Sequence, residues 1–215
     1  TFLESSDTNV IGFISKLNSA GSALLYSSFV GAGIHDFVMD MAIDSSGRAH
    51  LSGVSAAGFS SALPSVNPVW EPPPEHWGDH GFVAVLDRGG SNYLFYSLLG
   101  SEGKSVADGI ALDASGNIFV SGKTSGAEFP TTANAFQRTK ANPVDVDPDV
   151  FVMKLTPLGA NIDYATYLGG SHLEQWNEVV VSNSILRRLP FDARAEAIFV
   201  DDDGHAYVFG ETASE

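Results

Sequence analysis

Apolar residues in this chain fall in short runs broken by Gly, Asp, Asn or Ser, and no stretch sustains the spacing of an amphipathic helix. One phrase recurs three times, as IDSSGRAHLSG (43–53), IALDASGNIFVSG (110–122) and VDDDGHAYVFG (200–210). An Asp carboxylate can accept bonds from backbone N–H groups a few residues on, and glycine supplies the positive φ that the last turn position needs. With apolar β-formers on both sides, each copy predicts a strand, a tight turn and a second strand, so Asp44, Asp113 and Asp201 are read as turn residues. A calcium loop would need about six to eight oxygens, more than Asp-x-x-Gly offers.

A second phrase, Phe-x-x-x-Leu, starts at Phe13, Phe82 and Phe151, a step of 69 residues each time. Turn glycines follow at Gly21, Gly90 and Gly159, and then YSSFVG (26–31), FYSLLG (95–100) and YATYLG (164–169) keep the same step. The Asp-x-x-Gly phrase keeps it from Asp44 to Asp113 but runs 88 residues to Asp201, which places a 19-residue insertion between Gly169 and Ile198. The repeat units are therefore about 12–80, 81–149 and 150–215, with the insertion at about 171–195 of the third.

Each unit supplies four short strands, here A and B around the Asp-x-x-Gly turn, C at Phe-x-x-x-Leu and D at Tyr/Phe-x-x-x-Leu-Gly. In the second unit they are expected at 107–113, 117–123, 150–156 and 162–168. A lone hairpin cannot bury its apolar face, so repeated four-stranded units must pack on each other. The fold expected is all-β, a β-propeller of four-stranded antiparallel blades, in a single segment over 1–215. The order along the chain is C-D, A-B-C-D, A-B-C-D, A-B, which is three blades' worth, whereas closed rings typically use about four to eight blades. The expectation is a partial ring completed by other chains or by more of a longer polypeptide, with exposed strand edges and apolar faces at its ends.

GIALDASGNIFVSGKTSGAEFPTTANAFQ (109–137) followed by DVFVMKLTPLGANIDYATYLGG (149–170) resembles the SBBP class of β-propeller repeat. The resemblance covers nearly the whole chain. The first unit is more divergent, with Ser61-Ala-Leu-Pro64 roughly where Glu128-Phe-Pro-Thr131 stands in the second, and the third departs by its insertion. The resemblance implies a bacterial extracellular or cell-envelope protein and brings no catalytic residues with it.

Composition narrows the function. A formal charge of −15 argues against nucleic acid, since phosphates need a basic face. No apolar run is long enough for a membrane-spanning helix, and the absence of cysteine excludes disulfides and thiolate metal sites. A start at Thr1 suggests a processed mature chain.

A-to-B and C-to-D turns share one side of such a blade. The long B-to-C and D-to-A connections share the other, which makes that side the expected binding face. It carries Trp70, Trp77 and Trp176, able to stack on sugars, to anchor a partner or to pack a blade edge. Asp145, Asp147 and Asp149 alternate as a calcium candidate, though Pro148 and the lack of a downstream bidentate Glu exclude an EF-hand. His76 and His80 have helical metal spacing, but three preceding prolines and Gly78 favour an ordinary loop. In the insertion, Val179-Val-Val181 and Ile185-Leu186 can form an extra strand pair or short helix, and Arg187, Arg188 and Arg194 make a basic spot suited to docking. No Gly-x-Ser-x-Gly elbow is present. The function expected is a non-enzymatic scaffold that docks other proteins, with Trp70, Trp77, Trp176, Arg187 and Arg188 as contact residues and no cofactor other than a candidate calcium. The alternative is a carbohydrate-binding or carbohydrate-active propeller using the Trp/Asp-rich loops.

Overall fold

The computed structural model describes residues 11–31, 36–55, 65–71, 78–100, 103–141, 148–170, 180–181, 184–185 and 193–212. Its strands are β1 (Gly12–Leu17), β2 (Leu24–Val30), β3 (Asp36–Ile43), β4 (Ala49–Ser55), β5 (His80–Leu86), β6 (Tyr93–Leu99), β7 (Ser105–Leu112), β8 (Ile118–Thr124), β9 (Asp149–Leu155), β10 (Ile162–Leu168), β11 (Val180–Val181), β12 (Ser184–Ile185), β13 (Ala193–Val200) and β14 (Ala206–Thr212). The fold is all-β. A 3-10 turn at Pro157–Gly159 is the one helical element among the described residues.

Two complete blades form, β3-β4-β5-β6 and β7-β8-β9-β10, each antiparallel in chain order. The β1-β2 pair before them is a C-D half, and the β13-β14 pair after them is an A-B half. The described residues form no closed ring. The insertion contributes the short antiparallel pair β11-β12, one of the two forms expected of it.

Why these strands stack follows from their two faces. Along β5, Phe82, Ala84 and Leu86 point one way and join Ile14, Val30, Leu51 and Tyr96 in a core against β1-β2. Val83 and Val85 point the other way and join Ile110, Val120, Phe151, Met153 and Leu155 in the core between the two blades. A third core, built on Phe119, Val152 and Ile198, joins the second blade to β13-β14. Strands buried on both faces read as continuous apolar runs rather than as alternation, hence FVAVL at 82–86.

The turns behave as their residues require. Gly47, Gly116 and Gly204 have φ of +83°, +82° and +82°. In the middle turn, Asp113 Oδ1 accepts from Ser115 N and Asn117 N, both at 2.9 Å, and Gly116 N donates to Asp113 O at 3.0 Å. Glycine at 122 has a different cause. A Cβ there would collide with the Val106 carbonyl oxygen and lie 2.8 Å from the Phe151 ring, and Gly53 faces Phe82 in the same way in the first blade. Phenylalanine of strand C thus lies over glycine of strand B.

Two features depart from expectation. Strand A carries a bulge in every copy, between Val38 and Asp40, Ala107 and Gly109, and Ala195 and Ala197, which re-aims the strand after it. The long B-to-C connectors also do not simply lie on the face below the blade. They turn back along the outermost strand: Val66 and Tyr96 exchange both backbone bonds at 3.2 and 3.0 Å. Thr132 N bonds Ala165 O, and Tyr167 N bonds Gln137 O, each at 3.0 Å. Unpaired D-strand edges would otherwise face solvent, and the connectors cover them.

Candidate functional site

At the Asp-x-x-Gly end, carboxylates are held ionised by their own turns. Bonds from His205 N, the His205 ring and Tyr207 hydroxyl hold Asp201 at about 2. Burial alone would raise Asp44, but bonds from Ser46, Arg48 and His50 outweigh it and hold it well below the usual carboxylate range. His50 is buried beneath Asp44, and that burial lowers its pKa despite the carboxylate. The carboxylates at this end thus serve turn stability, while the buried His50 Nδ1 has no hydrogen-bond partner among the described residues.

At the opposite end, polar side chains tie strands to connectors. Asp36 is buried and accepts from Ser55 Oγ, and the buried Tyr96 phenol is pushed up first by burial and then by the Asp36 charge. Tyr167 accepts from Phe129 N and donates to Gly126 O, both at 2.9 Å, pinning the connector to β10, and burial pushes its phenol up to about 12. Between blades, Asp40 Oδ2 accepts from Ile110 N at 3.0 Å. Asp108, at the bulge, lies 3.7 Å from the buried Lys123 Nζ.

The expected contact residues divide accordingly. Trp70 is half-buried, packs on the core beside β1-β2, meets the His80 ring edge-on at 5.4 Å and has both backbone groups on Ser97 Oγ. That is the blade-edge role. Asp149 is turned inward and accepts from Ala141 N at 2.9 Å and Gln137 Nε2 at 3.5 Å. Trp77, Trp176, Asp145, Asp147, Arg187 and Arg188 lie outside the described residues, as does His76. His80 opens β5 and is buried. Among the described residues no group of three or more His, Asp or Glu is disposed to hold a metal.

The largest unmet demand is apolar. Met41 is 55% exposed, whereas Ile110, its equivalent one repeat on, is 4% exposed. Tyr207 is 59% exposed against 0% for its equivalent Phe119. Leu17 and Phe29 on β1-β2 are open in the same way, and Phe199 and Phe209 on β13-β14 are exposed where the second blade has the smaller Ala111 and Ser121. The same repeat position is thus core where a neighbouring blade lies against it and surface where none of the described residues does. Sequence inspection foresaw open ends but did not name these residues; aligning the repeats on Phe13, Phe82 and Phe151 would have done so.

No curated protein matches the chain. Residues 97–130 match the family model described as SBBP, beta-propeller repeat, a stretch running from the end of β6 through β7 and β8 into the connector beyond. Residues 97–130 are thus similar to an SBBP-type β-propeller repeat, and the four-strand unit that they belong to recurs along the chain.

Proposed function

We propose that this chain is a non-enzymatic scaffold of the cell envelope or extracellular space, whose open blade faces dock protein. One observation carries this reading: Met41 and Tyr207 stand exposed where the matching residues of the second blade, Ile110 and Phe119, are buried core. Surfaces of that kind gain from covering apolar area, at about 25 cal/mol per Å². Trp70, one of the three tryptophans of the glycan alternative, is engaged with His80 and Ser97. The polar groups at the Asp-x-x-Gly end are spent on turns, which leaves apolar contact as the main chemistry offered. The test places a photo-crosslinking residue at Met41 or Phe209 in the producing organism. Crosslinks to polypeptide, whether this chain or another, support docking. Crosslinks to polysaccharide alone, or none, refute it.

A further inference from the structure

We draw no further inference here: the strongest candidate, the exposed surface patch around Phe136 on the connector alongside β10, rests on one apolar side chain, and nothing in the structure shows what covers it.

Discussion

Glycine does two different jobs in this chain, and substitution separates them. At Gly122 the backbone is not left-handed, but the Cβ position is occupied by the Val106 carbonyl oxygen and, at 2.8 Å, by Phe151 Cε1. One obstacle is backbone inside a sheet and the other a fully buried ring, so no rotamer change relieves Gly122→Ala. Overpacking of a well-filled core costs about 1–3 kcal/mol, and the upper end applies here. At Gly116 the nearest atom to a Cβ is 3.9 Å away, and the constraint is φ of +82°. Gly116→Ala therefore carries only the left-handed penalty, about 1–2 kcal/mol. For a chain of this size each kcal/mol moves Tm by about 2–4 °C, so thermal melts followed by circular dichroism should resolve the two. The decisive comparison is asparagine, which tolerates the left-handed region but is bulkier than alanine. Gly116→Asn should melt above Gly116→Ala, and Gly122→Asn below Gly122→Ala. The same order at both sites would refute the assignment of one glycine to conformation and the other to space.

Asp40→Ala leaves the Ile110 N–H without its acceptor at the blade junction and should destabilise by about 1–3 kcal/mol in urea unfolding; no change would mean water replaces the carboxylate. Tyr167→Phe strips partners from Phe129 N and Gly126 O, and should speed amide exchange in 126–140 more than in β7. Asp201 is held at about 2 against an ordinary 3.8; a depressed carboxylate stabilises the fold above its unfolded value, so its contribution is retained above pH 3.8 and lost as pH falls towards 2, a limb that Asp201→Asn should remove. His50 is lowered from 6.5 by burial, so the unfolded chain binds the extra proton first and stability should start to fall below pH 6.5, with a flatter slope in His50→Gln.

Most of the blade was legible because its signals are local. Phe151 to Leu155 and Ile162 to Leu168 form strands in β9 and β10 where the repeat placed them, and Asp113 and Gly116 make the turn their chemistry dictates. The strand A bulges were not legible, since a two-against-one pairing exists only in the register between strands, and Val38 to Asp40 carries no mark of it in the chain. The inward turn of Asp149 was likewise hidden. Its Oδ2 accepts from Ala141 N and Gln137 Nε2, groups brought near only when the connector folds against β10.

That connector also shows on what part of the long loops is spent. Length beyond about 12–15 residues ordinarily signals a functional or mobile loop. Thr132 and Gln137 instead bond the backbone of Ala165 and Tyr167, and Val66 does the same for Tyr96, so a share of each connector is spent on an outer strand edge. A blade must have an outer edge whether or not its ring is closed, and every complete blade in this chain covers that edge with its own connector. The edges without a paired strand among the described residues are of another kind: β1 and β14 are interior strands of a blade, C and B, which in the complete copies are always paired with each other. Protection of the permanent edges, alongside exposure of those that the repeat elsewhere pairs, is why the docking proposal rests on the half-blades and not on the loops.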